Sequence, residues 1–246
     1  MKRPTNASKQ IIAVIPARFG STRLEGKPLL KETGKYLIQH VYEAVKKSRI
    51  FSNIIVATDD KRIFNACRKF GAEVVMTSSK HKSGTDRIAE AVRRIDCDIV
   101  INVQGDEPMI TAAALKKLAG LFDKKGVVMA TLANKSRGKE DLYNTNVVKV
   151  VLDRTGYAAL FTRMPVTISR NGCFYRHIGV YGYTKEFLLR FTKMKQTPGE
   201  IKERLEQLRA LENGCKIKVG ITKYQTLGID TREDYERFAK LYSKTF

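Results

Sequence analysis

The sequence predicts a doubly wound α/β fold, a mainly parallel sheet covered by helices on both faces. Three observations predict it. Short apolar runs rich in Val and Ile recur along the chain, each of strand length and each ended by a turn or a polar residue. Between them lie segments with apolar residues at i, i+3 and i+4, the spacing that sets one face of a helix against a sheet. At 246 residues, 43% of them hydrophobic, the chain is long enough to bury a full core around one such sheet.

The first element is Ile11 to Ile15 (IIAVI), a continuous apolar run ended by Pro16 and read as a strand buried on both faces. Tyr36 to Ser48 follows with Leu37, Ile38, Val41, Tyr42 and Val45 at helical spacing. The alternation continues: strand Ile54 to Thr58 and helix Asp60 to Phe70, strand Glu73 to Met76 and helix Thr85 to Ile95, strand Ile99 to Val103 and helix Ala112 to Phe122, then strand Val127 to Leu132. After about Asn134 the rhythm changes. Val147 to Leu152 and Tyr157 to Phe161 flank Asp153-Arg154-Thr155-Gly156, a hairpin-like turn, and Cys173 to Thr184 is aromatic and strand-like. This reads as a smaller inserted region of antiparallel strands, over 134–212. Helices are expected at Lys185 to Met194 and Glu203 to Asn213, the second capped by Gly214, then strand Ile217 to Ile221 and a last helix from Thr231. Thr231 and Asp234 have the spacing of a capping box.

Lys plus Arg number 46 against 25 Asp plus Glu, a net charge of +21. Such a balance is the electrostatic footprint of a nucleic-acid binder, and a basic nucleic-acid-binding protein on an enzyme-like scaffold is the alternative from another functional class. The cations are spread, however, with no successive block of fifty residues counted from residue 1 holding more than eleven, and many fall on outer helix positions such as Lys46, Lys47, Lys116, Lys117, Lys124 and Lys125. A solvated surface that draws in polyanionic ligands is the expectation. Cys67, Cys97, Cys173 and Cys215 lie far apart, without CxxC or zinc spacing, and read as core residues of a reducing compartment. No apolar run reaches the roughly 18 to 20 residues of a membrane span, and MKRPTNASKQ lacks the apolar stretch of a signal peptide, so a cytoplasmic location is expected. Residues 1–9 are expected to form a flexible tail.

In an open parallel sheet ligands bind at the carboxyl ends of the strands, and four loops there carry chemistry. Pro16 to Pro28 holds Gly20 and Gly26, Ser21 and Thr22, and the cations Arg18, Arg23 and Lys27, a composition suited to cradling phosphate. It is not a Walker loop, since five residues separate the glycines and Pro28 replaces the magnesium-binding hydroxyl, and no GxGxxG follows this strand. Gln104-Gly105-Asp106-Glu107-Pro108 exposes a carboxylate at a strand end, an oxygen ligand of the kind Mg²⁺ takes. Asp230, in Gly228-Ile229-Asp230-Thr231, is either a second such ligand or the acidic start of a helix. Lys80 to Arg87 opens a helix, either as an anion or base-edge contact or as a plain cap at Ser83 or Thr85. Cations after the first strand and two separated carboxylates together match nucleotidyl transfer, which needs a neutralised triphosphate and metal-assisted displacement.

The run IPARFGSTRLEGKPL (Ile15 to Leu29) resembles the signature loop of the 3-deoxy-manno-octulosonate (KDO) cytidylyltransferases, or CMP-KDO synthetases, as does INVQGDEPMI (Ile101 to Ile110). SGTDRIAE (Ser83 to Glu90), NVVKVVLD (Asn146 to Asp153), RHIGVYGY (Arg176 to Tyr183), LEQLRALENG (Leu205 to Gly214) and GIDTREDYER (Gly228 to Arg237) match in family order. The resemblance implies a Rossmann-like nucleotidyltransferase that joins CTP and KDO into CMP-KDO and pyrophosphate for lipopolysaccharide synthesis, with Mg²⁺ as cofactor and a homodimer formed through the inserted region. It implies that Arg18, Ser21, Arg23 and Lys27 bind the triphosphate, with Lys27 and Arg18 catalytic, and that Asp106 and Asp230 hold Mg²⁺. It places Ser83, Gly84, Thr85 and Arg87 in the cytidine pocket, and Gln104, Arg163, His177, Tyr181, Glu206 and Gln207 around the sugar acid. Glu25 stands where the family usually has Pro, and its side chain is expected to face solvent. The stretch Met164 to Gly172 is short and lacks the family's aromatic, so a relative such as 8-amino-KDO is the alternative sugar.

Overall fold

The computed structural model describes residues 9–20, 23–169 and 172–243. The main sheet runs in the order β3-β2-β1-β4-β8-β5-β9. Its strands are β1 (Ile11–Ala17), β2 (Asn53–Thr58), β3 (Glu73–Met76), β4 (Ile99–Asn102), β5 (Met129–Ser136), β8 (Phe174–Thr184) and β9 (Ile217–Ile221). β1 pairs in parallel with β2 and β4, β2 with β3, and β5 with β9. β8 alone in this row is antiparallel to both neighbours, β4 and β5. β1 runs past the expected end at Pro16, because beyond Val14 only β2 continues beside it, and a strand with one free edge tolerates proline.

Alternation along the strands divides the core in two. Ala13, Ile15 and Ala17 of β1 face α1 (Leu37–Lys47), α2 (Lys61–Lys69) and α4 (Ala112–Gly120), whose Val41, Val45, Ile63, Cys67, Leu115 and Leu118 share their cluster. Ile12 and Val14 face the other way, toward Ile88 and Val92 of α3 (Gly84–Val92), Phe187, Leu188 and Phe191 of α6 (Lys185–Phe191), and Leu208 and Ala210 of α8 (Gln207–Glu212). Phe161, Phe187 and Phe191, at most 2% exposed, contribute about 1.5–3 kcal/mol each by burial. α9 (Arg232–Ser243) closes a satellite cluster in which Tyr235 and Phe238 meet Leu37 and Ile229. Thr231 and Asp234 cap α9 reciprocally, since Asp234 N–H reaches Thr231 Oγ1 at 3.2 Å and Thr231 N–H reaches Asp234 Oδ2 at 3.0 Å.

The hairpin of β6 (Lys149–Leu152) and β7 (Ala158–Thr162) lies off this row and touches β8 through Lys149 and Arg176. Asp153 builds its turn by accepting the N–H groups of Thr155 and Tyr157, with Gly156 at φ 78°. The span 134–212 thus holds this hairpin and also β8, which sits inside the main sheet between β4 and β5.

Several expectations are corrected. The single helix from Glu203 to Asn213 is two, α7 (Pro198–Glu203) and α8, because Arg204 takes a left-handed conformation at φ 54° and turns the chain. α6 ends at Phe191 rather than Met194, and the short α5 (Lys139–Tyr143) lies where no helix was expected. Cys67 and Cys97 are buried, whereas Cys173 and Cys215 are partly exposed, Cys215 packing against the rim of the second cluster. Of the expected tail, 1–8 lie outside the described residues, and Lys9 is tied by its ammonium to the Phe122 carbonyl. No helix among the described residues is long and apolar enough to cross a membrane.

Candidate active site

The parallel strands bring the loops after β1, β2, β3, β4 and β9 to one edge of the sheet. There a cavity of about 320 Å³ is lined by Arg18, Arg23, Lys27, Ser83, Gly84, Arg87, Gln104, Asp106 and Asp230, so the sequence-predicted phosphate loop, metal acids and helix start converge. The loop is folded back by Gly26, which lies at φ 65° and donates its N–H to the Phe19 carbonyl at 3.0 Å. A Cβ there would stand 3.1 Å from the Phe19 ring, so a side chain at this left-handed position would be strained twice over. Glu25, beside it, faces solvent.

This turn points Lys27 inward. Its ammonium lies 2.6 Å from Asp106 Oδ2 and 3.6 Å from Asp230 Oδ1, and donates to the Ile229 carbonyl at 2.7 Å. Arg23 lies 3.0 Å from the other oxygen of Asp230. Asp106 reaches this point because Gly105 lets the β4 loop touch the β1 loop: a Cβ on Gly105 would meet the Pro16 carbonyl oxygen at 2.8 Å. Ser21 lies outside the described residues.

On the next wall Ser83 caps α3, accepting the N–H of Asp86 at 3.1 Å. Arg87, 3% exposed, donates from one nitrogen to Thr77 Oγ1 at 2.5 Å and from another to Asp59 Oδ2 at 2.6 Å. Its charge therefore knits the ends of β2 and β3 to α3 at the cavity floor. His81 and Lys82 also line the cavity, and His81 is bonded to Glu90.

Gln104 donates from its amide to Asn102 Oδ1 at 3.1 Å, and β8 lies next to Asn102 across β4. The shifted register sets His177 opposite Ala133 and Tyr181 opposite Thr131, so both share one face, with ring centroids 5.4 Å apart. Burial lowers the His177 pKa to about 3, keeping the ring neutral. The single proton of the Thr131 hydroxyl goes to the carbonyls of Val180 and Ile178, so at the 3.0 Å contact His177 Nε2–H is the donor and Nδ1 remains an acceptor. Tyr181 stacks on Tyr183, and burial holds both phenols well above their usual range. Thr85 donates to Glu206 Oε2 at 2.5 Å, which places α8 against α3. Burial raises the Glu206 pKa against the pull of Thr85, Ser83 and Arg209. Glu206 Oε1 and Gln207 Nε2 are buried polar atoms without hydrogen-bond partners. Glu206 Oε1 also lies 3.7 Å from the Arg209 guanidinium, whereas Gln207 Nε2 is a buried donor of the kind that suits a ligand hydroxyl.

Arg163 stands apart. Its guanidinium donates to the carbonyls of Glu203 and Thr145, both at 3.0 Å, and it is not among the residues lining the cavity. Sequence reasoning did not single out Asp59, Thr77, His81 or Tyr183. Asp59 follows a strand directly, the signal by which it was findable, whereas Tyr183 is indistinguishable from core until β8 is placed.

The donor set fits a small hard cation. Asp106 and Asp230 converge on one ammonium, so the space between their oxygens accepts positive charge. Two carboxylates leave further positions for phosphate oxygens and water, as Mg²⁺ prefers. Among the described residues no cluster of three or more His, Cys, Asp or Glu forms a closed metal cage.

The sequence model of a cytidylyltransferase family matches residues 12–217. A 3-deoxy-manno-octulosonate cytidylyltransferase of Thermodesulfovibrio yellowstonii is 47% identical over 242 residues, covering 92% of this chain and 95% of that protein. Its namesake in Fusobacterium nucleatum is 46% identical over 233 residues, covering 93% and 95%. A solved structure of CMP:2-keto-3-deoxy-manno-octonic acid synthetase complexed with CTP is 36% identical and covers 96% of this chain and 100% of that one, with a TM-score of 0.91.

Proposed function

The chain belongs to the 3-deoxy-manno-octulosonate cytidylyltransferase family of nucleotidyltransferases, and from that premise we propose that it transfers CMP from CTP to KDO, releasing pyrophosphate, in lipopolysaccharide synthesis. The observation that carries this reading is the meeting of Lys27, Asp106 and Asp230 at one point of the strand-end cavity. Charge of both signs is gathered there, as transfer at an α-phosphate demands.

The anomeric hydroxyl of the sugar attacks the α-phosphate in line, the new O–P bond forms as the bond to pyrophosphate breaks, and the hydroxyl proton leaves to solvent. Arg18 and Arg23 hold the phosphate chain, as Ser21 does by its place in the motif. Lys27, recessed between the acids, is positioned to oppose charge gathering on the α-phosphate. Ser83, Gly84, Thr85 and Arg87 form the nucleoside wall, where the Arg87 pairing with Asp59 makes the floor rigid. Gln104 joins the two halves of the site. Glu206, Gln207, Tyr181 and the Nδ1 acceptor of His177 offer the sugar hydroxyls complementary partners. Arg163 is the candidate partner for the sugar carboxylate, through movement off its carbonyl contacts. Asp106 and Asp230 would hold Mg²⁺, which when bound lowers the pKa of a ligated hydroxyl and neutralises phosphate charge.

A homodimer is part of the proposal, supported by apolar surface on the hairpin: Val151 and Leu160, paired across β6 and β7, are 37% and 44% exposed, and Met164 and Ile168 just beyond are 59% and 50% exposed. A cytoplasmic location is part of the same proposal, supported by the use of CTP as substrate. The test is pyrophosphate release from CTP and Mg²⁺ with KDO, 8-amino-KDO, N-acetylneuraminate or no sugar. Release with KDO is expected. Release with 8-amino-KDO in preference would move the sugar assignment, and release with none would overturn it.

A further inference from the structure

Glu107 follows Asp106 directly but faces the other way. Its Oε2 accepts the Tyr224 hydroxyl at 2.8 Å, and its Oε1 accepts the Thr226 hydroxyl. A Cβ on Gly228 would stand 3.5 Å from the same Oε1, so the carboxylate lies under the chain there. Tyr224, Thr226 and Gly228 belong to the irregular stretch 222–230, which joins β9 to α9 and ends in Asp230. Asn134 holds this stretch at the Tyr224 carbonyl, at 2.9 Å, and the Asp106 carbonyl holds it at Ile229 N–H, at 3.0 Å. Glu107 supplies the side-chain ties between those two points.

We propose that Glu107 is a positioning residue: through Tyr224 and Thr226 it sets where Asp230 stands relative to Asp106, and so sets metal affinity, without touching either substrate. The proposal rests on the assignment of Asp106 and Asp230 as the metal-holding pair. It separates neighbouring acids by task, Asp106 facing the reaction and Glu107 the frame that brings in the distant Asp230.

The test compares Glu107→Ala, Glu107→Gln and the double variant Tyr224→Phe/Thr226→Val. Mn²⁺ binding is read by water-proton relaxation with CTP present and sugar absent, corrected for the nucleotide alone, and half-saturating Mg²⁺ is read in turnover. Glu107→Ala and the double variant each weaken Mn²⁺ binding and raise half-saturating Mg²⁺ about fivefold or more, with KM for CTP at saturating Mg²⁺ within about twofold of the parent. Glu107→Gln, which keeps one acceptor, falls between, and Glu107→Ala combined with the double variant adds little further, as for residues acting through one link. If Glu107→Ala fails to fold, the double variant carries the test alone. Parental Mn²⁺ affinity in a folded double variant, alongside weakened affinity in Asp230→Asn, overturns the proposal. Parental affinity in Asp230→Asn itself overturns the metal assignment beneath it.

Discussion

The ammonium of Lys27 stands 2.6 Å from Asp106 Oδ2, a contact between residues 79 apart in sequence. The same nitrogen is 3.6 Å from Asp230, which Arg23 also pairs at 3.0 Å, so two cations stand against the two acids proposed to hold a divalent cation. Cation and lysine therefore compete for the same oxygens until a triphosphate arrives to take up the ammonium.

Replacing Lys27 by Met separates these two roles. Turnover falls by about 10²–10³-fold, the loss seen when one preorganised stabiliser of transition-state charge is removed, while KM for CTP rises much less. The nucleotide-free variant binds Mn²⁺ more tightly than the parent by equilibrium relaxation measurements. An unchanged kcat with only a raised KM would reduce Lys27 to a binding residue.

Asp106→Asn keeps the shape of the side chain and removes its charge. Turnover at millimolar-scale Mg²⁺ is lost while the fold survives with a melting temperature slightly below the parental value, because Lys27 loses a charged partner that a neutral amide only partly replaces and keeps Asp230. Full activity in this variant would remove Asp106 from the metal pair.

Gly105→Ala tests the contact between the β1 and β4 loops. The added Cβ meets backbone oxygen of Pro16 at 2.8 Å, which cannot swing aside as a side chain does. The loops must part, at a cost of about 1–3 kcal/mol in a denaturant titration and with weaker CTP binding. Parental values for both would show that this edge of the sheet yields freely.

His40 predicts a pH dependence. It is 6% exposed, lies 2.6 Å from the Thr33 hydroxyl, and meets the rings of Phe238 and Tyr242 edge-on. Burial lowers its pKa from 6.5 to about 4, with Glu43 opposing the shift and Lys35 and Lys47 adding to it. The unfolded chain takes up this proton more readily, so the stability tied to neutral His40 is complete above pH 6.5 and drains away as pH falls toward 4. The full difference amounts to about 3 kcal/mol. His40→Gln should flatten this part of the stability profile measured by denaturant titration; an identical slope would assign it elsewhere, His177 being the next candidate.

The sheet and its covering helices were legible because they depend on local spacing, as in Ile11 to Ile15 and in the stripe of Leu37, Val41 and Val45. The turn that sends Lys27 into the cavity was legible from Gly26 and Lys27, since backbone reversal and charge leave compositional marks. What stayed hidden is long-range or conformational. A left-handed Arg204 carries no mark in its residue type, so the break that frees Glu206 to meet Thr85 was read as continuous helix. The insertion of β8 between β4 and β5 is decided by tertiary pairing, and the links of Arg87 to Asp59 and Glu107 to Tyr224 join elements that no local window contains together.

The strand order has a consequence for a chain made from its amino end. β1 and the phosphate loop emerge first, but Asp230 follows β9, the last strand to join the sheet. A ribosome-bound chain that has already built β1 to β8 thus holds its cations without the second carboxylate. Asp230 joins Lys27 and Asp106 only once 222–243 have emerged and α9 has seated Tyr235 and Phe238 against Leu37. The cluster of Lys27, Asp106 and Asp230 is thus the last part of the cavity wall to assemble, and its second acid hangs on the irregular stretch 222–230 rather than on a strand.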